Sequence, residues 1–411
     1  MSRYIRIFYN EPHKQTRTIG RYRSICSYGS WLIIFFLLFS APVFAQTIPW
    51  WLSLEYGKQK FRAGEYGNAL LLFEDARRDR RVMYEKMERD LIIFLSVHEV
   101  RRIGDSLERV EQYSYDRLYT AASYAFEELY YRVPKSSLNN SANAALAAVG
   151  GLKDYPEAEY WIGEVYRVEG ELSLALSQYR RAYAMRGNLE DPKFRVTLQY
   201  KIAGLLRTRI EYTEMEKTLL DIINEFDTLW INANLAQTNA ASGSNVPYAQ
   251  ASSSFARTAM TRTLANDGVN RFMELYRYNN GTVEQAHRLL GLFHVSLGHE
   301  SAQQHLMFAF LIQNTIIIEE IKQRQYNYAF ISLAELMREV NRNSLLLSYI
   351  DEVEYFKTAY YFAASLYRGN YVSAARNIWE FLASQPQAGQ WQSRAASQLR
   401  NPRTEPLSEL F

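Results

Sequence analysis

Apolar residues return at helical spacing over most of this chain, and the pattern is sharpest between Pro156 and Leu189. Trp161, Ile162, Val165 and Tyr166 form one stripe, which predicts an amphipathic helix from about Glu157 to Val168. Gly170 interrupts it, because glycine ends a helix without the steric cost of a side chain at positive φ. Leu172, Ala175, Leu176, Tyr179, Ala182 and Tyr183 then predict a second helix, from about Leu172 to Met185. Gly163 on the first helix and Ala175 on the second let two antiparallel helices approach closely, while Tyr166 and Tyr179 fill the space beside them. A single hairpin of this kind leaves an apolar face uncovered, so further hairpins must stack on it.

The same offsets recur along the chain. Gly57, Gly64, Ala69, Phe73 and Ala76 repeat the spacing of Gly163, Gly170, Ala175, Tyr179 and Ala182, with Trp50 and Trp51 packing at the start of that unit. Met83 to Arg109 reads as one or two longer helices, Tyr119 to Pro134 as the second half of a degraded hairpin, and Ser136 to Leu152 as a short joining helix. Phe194 to Phe226 fits another hairpin, with close approach at Ala203 and Gly204. Glu284 to Leu311 and Tyr355 to Ala383 carry the spacing again, the latter through Gly369, Ala374 and Ala375. Asn314 to Val340 offers two helices around a turn at Gln325 to Asn327. Strand-like alternation of useful length is absent. Asn232 to Ser254 is rich in Asn, Ala, Ser, Gln and Gly, too poor in apolar side chains to offset its ordering entropy, and reads as a flexible linker. The expected organisation is all-α, a helical-hairpin repeat solenoid. An N-terminal block at 46–231 is joined by a linker at 232–254 to a C-terminal block at 255–390, and a tail follows at 391–411. Whether the blocks form one continuous superhelix is left open.

Through Gly163, Tyr166, Gly170, Ala175, Tyr179 and Ala182 the central unit resembles a tetratricopeptide repeat, a helical hairpin of 34 residues. It departs at its end: the closing proline of that family would fall at Gly187, and Pro192 comes late. The resemblance implies a curved stack whose first helices line a concave face on which partner proteins dock. On that implication the lining positions are Leu54, Lys58 and Phe61, then Tyr160, Glu164 and Arg167, then Ala359, Ala363 and Tyr367. This lining is mixed, less basic than grooves that clamp a peptide carboxylate.

The first 45 residues change the picture of charge and location. Arg3, Arg6, Lys14, Arg17, Arg21 and Arg23 face a single acid, Glu11; Trp31 to Phe39 is unbroken apolar sequence, and small residues follow to Ala45. This is the layout of a secretory signal peptide with cleavage after Ala45. The alternative is an uncleaved anchor, although residues 31–45 would extend only about 22 Å as a helix against a hydrocarbon core of about 30 Å. Cys26, the single cysteine, precedes the apolar run, so the mature chain has no disulfide or thiol chemistry. Of 47 basic and 44 acidic residues, the leader takes six and one, leaving 41 and 43, a net charge of −2. Such a near-neutral body gives no electrostatic basis for nucleic-acid binding.

Candidate chemistry is sparse. His287 and His294 are seven residues apart on one helical face, and His299 and His305 follow. His299-Glu300 opens like a zinc-binding H-E-x-x-H, but Gln303 stands where the second histidine belongs, so no metal is expected and the imidazoles are read as lying on an exposed face. Glu127-Glu128 and Glu319-Glu320 are read as solvated helix faces. Nucleophile elbows, phosphate loops and dinucleotide fingerprints are all missing. Aromatic residues, 14% of the chain, largely fall inside the repeat pattern and are assigned to the core between helices. The expectation is a non-enzymatic, cofactor-free scaffold of the bacterial periplasm or cell envelope that binds other envelope proteins. It resembles tetratricopeptide scaffolds of multiprotein machines, and the alternative is an accessory module for a flagellar motor or for outer-membrane or cell-wall assembly. Membrane contact would come only through an uncleaved leader.

Overall fold

The computed structural model describes residues 48–97, 147, 150–227 and 248–404. The leader, the degraded hairpin at 119–134, most of the joining helix at 136–152, residues 232–247 of the expected linker and the tail from 405 lie outside the described residues. The described residues are all-helical, with no strand among them. They include fourteen α-helices: α1 (Trp50–Arg62), α2 (Tyr66–Val97), α3 (Pro156–Val168), α4 (Leu172–Ala184), α5 (Phe194–Thr208), α6 (Tyr212–Phe226), α7 (Tyr248–Leu275), α8 (Gly281–Leu297), α9 (Ser301–Arg324), α10 (Leu333–Asn341), α11 (Ser344–Glu352), α12 (Tyr355–Arg368), α13 (Val372–Ala383) and α14 (Gln390–Arg400).

Five adjacent pairs, α1–α2, α3–α4, α5–α6, α8–α9 and α12–α13, pack as hairpins. The second helix of each touches the first helix of the next: α2 on α3, α4 on α5, α6 on α8, α9 on α12. One turn geometry closes all five. Gly64, Gly170, Ile210, Gly298 and Asn370 sit at φ between +63° and +86°. In each turn the N–H of that residue donates to the carbonyl three residues back, and the next N–H donates to the carbonyl five back, as Gly170 does to Arg167 and Glu171 to Tyr166. These bonds satisfy carbonyls that the helix end would otherwise leave unpaired. In the last hairpin Asn370, rather than Gly369, takes the left-handed position, a role asparagine tolerates.

Counting back from these turns puts Gly57, Gly163, Ala203, Gly291 and Ala363 at one register, seven residues earlier, and all are buried. Gly204, expected beside Ala203 at a close approach, instead meets nothing within 4 Å. The register points the small residue at the partner helix and its neighbour at solvent.

Three departures from the expected pattern follow from packing. α2 runs on past Ala76, the last matched position of the first unit, through Met83, where the sequence predicts that a separate helix begins, and reaches Val97 as one helix of 32 residues. α7 begins at Tyr248, inside the stretch read as linker, kinks at Gly268 (φ 81°, ψ 174°) and packs on α13. α9 is buried without a break from His305 to Ile318. A helix apolar on every side needs cover on every side, which α8, α10 and α12 help to supply. Most of its polar groups are bonded internally: Asn314 donates to the Phe310 carbonyl at 2.8 Å and accepts from the Tyr355 hydroxyl at 2.9 Å, and the Gln313 amide nitrogen donates to Glu284 at 2.6 Å. No helix among the described residues is long and apolar enough to cross a membrane.

Candidate interaction surface

The nine positions read from sequence as a partner-binding lining divide sharply. Leu54, Tyr160, Ala359 and Ala363 are buried and do not face solvent, and Glu164 is buried as well, beneath the side chains that bond it. Leu54 joins a cluster with Phe73, Tyr155 and Ile162. Tyr160 stacks on Tyr179 at 5.7 Å and meets Phe194 edge-on at 4.8 Å. Ala363 holds the register of Gly163, and Ala359 lies one helical turn before it, so both point into the helix seam rather than outward. Tyr367 is half-buried, packed on Trp379 with its hydroxyl turned to the Pro402 carbonyl.

Lys58, Phe61, Glu164 and Arg167 come together with two side chains the sequence did not single out as lining, Trp161 and Lys201. Trp161, half-buried, is the centre of this ribbon across α1, α3 and α5. Its ring lies over Phe73 at 5.8 Å and meets Phe61 edge-on at 5.4 Å, with the Lys58 ammonium 5.9 Å from its centroid. The helical stripe that places Trp161 on the inner face of α3 is correct as far as it goes. What it omits is that a large ring at the border of a stripe is only partly covered.

Glu164 organises the polar half of the ribbon. Its carboxylate accepts from the Tyr179 hydroxyl at 2.5 Å, from Arg167 at 2.8 Å and from Lys201 at 2.7 Å. Burial opposes the charge on this carboxylate, but the bonds from Lys201, Tyr179 and Arg167 outweigh it and hold its pKa below the ordinary value. Burial, reinforced by the neighbouring Glu164 charge, drives the Tyr160 and Tyr179 phenols well up, so both stay neutral. Lys58 in turn bonds Glu55 at 2.6 Å. Each cation of the ribbon therefore already contacts a carboxylate of the same chain, Arg167 and Lys201 sharing Glu164, and the surface offers an aromatic ring beside three cations held by two acids.

A second concavity, about 500 Å³, lies between the N-terminal ends of α12 and α14 and is lined by Glu354, Phe356, Lys357, Tyr361, Trp391 and Arg394 among others. Its charges are also engaged: Glu354 bonds Lys357 at 3.1 Å and Arg288 at 2.6 Å, and the Arg394 guanidinium lies over Trp391 and Tyr360 at about 5 Å.

The histidines correct the sequence reading. His287, His294 and His305 are buried between helices rather than displayed on an exposed face. Among the described residues no group of three or more His, Cys, Asp or Glu side chains is arranged to hold a metal.

No family model matches the chain. It is 26% identical over 355 residues to an uncharacterized protein of Treponema pallidum (strain Nichols), covering 85% of this chain and 89% of that protein. It is 22% identical over 276 residues to an uncharacterized protein of Borreliella burgdorferi (strain ATCC 35210 / DSM 4680 / CIP 102532 / B31), covering 65% of this chain and 84% of that one.

Proposed function

We propose that this chain is a non-enzymatic protein-interaction scaffold, exported to the bacterial envelope, whose hairpins form a tetratricopeptide-like stack and hold a partner protein across the first helices of the N-terminal pairs. The observation that carries the reading is the ribbon centred on Trp161. Partly buried tryptophans framed by satisfied polar groups are the anchors around which protein interfaces concentrate their binding energy. The internal pairing of Lys58 with Glu55, and of Arg167 and Lys201 with the shared Glu164, argues against a clamp for a peptide carboxylate or another anion, which would have to compete with those acids. The basic and apolar layout of residues 1–45 supports export.

Site-specific photocrosslinking in intact cells tests this reading. A crosslinking residue at position 58 or 167 should trap a defined protein that the same residue at Lys217, exposed on α6, does not trap. Substituting Trp161→Ala in a chain that retains its helical circular dichroism should abolish the crosslinks. An identical background from all three positions would overturn the proposal.

A further inference from the structure

A buried polar seam ties α6 to the α8–α9 pair. At one end the Asp227 carboxylate, at the close of α6 and fully buried, accepts from the Tyr278 hydroxyl at 2.7 Å and pairs with His287 Nε2 at 2.8 Å. His287 Nδ1 faces His305 Nδ1 at 3.0 Å. The His305 ring meets His294 edge-on at 5.5 Å. His294 bonds the Ser301 hydroxyl through Nδ1 and the Glu216 carboxylate of α6 through Nε2 at 3.0 Å, and His299 reaches the same serine at 2.8 Å. Three imidazoles, His287, His305 and His294, thus run between Asp227 at the close of α6 and Glu216 within it, and His299 branches from the exposed end through Ser301. That helix is the last described before residue 228, and α8–α9 is the first hairpin pair that follows it.

The hydrogen count of this seam is fixed by its geometry. Asp227 is an acceptor, so His287 carries its proton on Nε2 and, when neutral, offers a lone pair at Nδ1 to the Nδ1–H of His305. One added proton leaves a single N–H between the two rings, whether it sits on His305 or, with a change of His305 tautomer, on His287. A second would set two N–H groups against each other at 3.0 Å in a site closed to water. We propose that this seam is a proton-sensitive joint: uptake of protons by its imidazoles loosens the packing of α6 on α8 and α9.

The charged and titratable groups that face the seam come from each neighbouring element. α6 contributes Glu216 and Asp227, the segment before α8 contributes Tyr278, and α5 contributes Tyr200, whose hydroxyl is held by the Thr282 carbonyl and the Ala286 N–H. Arg288, on α8 itself, is occupied by Glu284 and Glu354. Burial lowers the pKa of both His287 and His294 from the ordinary 6.5, against the opposing pull of Asp227 on one and Glu216 on the other. A folded-state value below the unfolded one means the joint is fully stable above about pH 6.5 and weakens as pH falls from there through the folded values.

Region-resolved hydrogen exchange on the full-length chain at pH 7.5 and pH 5.5, corrected for the intrinsic chemical rate, tests the joint. Protection in α6 and α8 should fall by about tenfold or more, the loss expected for one excluded proton over a pH unit, while α3 and α4 change by less than about twofold. H287Q and H294Q, which keep hydrogen-bonding capacity without the charge, should each flatten the response of α6 and α8. A uniform change across all helices of the unmutated chain overturns the proposal, whether or not the variants fold. So does a response in the folded variants equal to that of the unmutated chain.

Discussion

Gly163 lies so close to the ring of Tyr179 that a Cβ at that position would stand 2.7 Å from Cε1. Gly57 has the same relation to the ring of Phe73, and Gly291 to Leu306, at 2.5 Å. Contacts between carbon atoms are favourable near 3.5–4.0 Å, so a methyl group at position 163 must displace a ring that is itself anchored by Glu164. Gly163→Ala should therefore destabilise the chain by about 1–3 kcal/mol, the usual cost of overpacking, in spite of the better helix propensity of alanine. Gly204→Ala, inside α5 and facing open space, should stabilise by about 0.5–1 kcal/mol. Urea unfolding midpoints of the two variants should move in opposite directions. A shift of the same sign would show that the approach of helix to helix does not decide which glycines matter.

The hairpin turns allow a second comparison. Ile210 occupies a left-handed position, φ 63°, that glycine holds at residues 64, 170 and 298. Its side chain is 71% exposed, so it repays little of the strain through burial. A β-branched residue in this region is strained by about 1–3 kcal/mol. Ile210→Gly should stabilise by about 1 kcal/mol, the strain relieved less the entropy glycine gives up on folding. Gly170→Ala should lose a comparable amount. Thermal unfolding followed by circular dichroism measures both, and a destabilised Ile210→Gly would mean that the turn tolerates the isoleucine without strain.

Local periodicity is enough to reveal the hairpins, because each is closed by contacts between residues near in sequence. Helix α3 begins one residue from its expected start, and α4 ends one residue from its expected end. Legibility fails where a residue's neighbours come from distant sequence. Ala363 reads as an outward position when the register is counted from Gly369, whereas Asn370 sets the turn and rotates the face. The position ten residues before the turn is buried in the first, second and last hairpins, as Leu54, Tyr160 and Tyr360 show, because helices that follow in sequence cover it. The histidines show the same limit: His287 and His294 do share a face, but only the packing of α6 against α8 buries it. α9 has no polar face to find, and its burial depends on helices that follow it in sequence. Trp161 is legible as an apolar stripe residue, while its half-exposure depends on how far Phe61 and Phe73 cover it.

Arg80 is completely buried on α2, yet it carries a charge. Its guanidinium lies over the rings of Tyr155, Trp50 and Tyr84 at 4.4, 4.7 and 5.5 Å, and its Nε donates to the Leu152 carbonyl at 2.9 Å. Glu190 supplies a carboxylate at 3.7 Å. The planar cation is thus a spacer between α1, α2 and the start of α3. Arg80→Lys retains charge but not the flat stacking surface, and should cost about 1–3 kcal/mol. Arg80→Ala also opens a void and should cost about 3–5 kcal/mol. Chemical unfolding of the two variants checks the order. Equal losses would mean that charge alone, without the stacking, accounts for the residue.

Glu164 gives the clearest acid dependence in the N-terminal half. Its pKa is lowered in the folded chain, so its contribution is present above the unfolded value of about 4.5 and is lost as pH falls through the folded value. Its partners Arg167 and Lys201 are 39% and 34% exposed, so solvent screens the two ion pairs, and Glu164→Gln should cost only about 1–2 kcal/mol at neutral pH. Glutamine still accepts the hydroxyl of Tyr179, which limits the loss. Glu164→Ala removes that acceptor too, strands a buried phenol, and should cost about 2–4 kcal/mol. Below the folded value the wild-type carboxyl is itself neutral, so the gap between wild type and Glu164→Gln should close as unfolding is followed from pH 7 to pH 3. A gap that stays constant across that range would mean that the charge of Glu164 does not stabilise the joint between α3, α4 and α5.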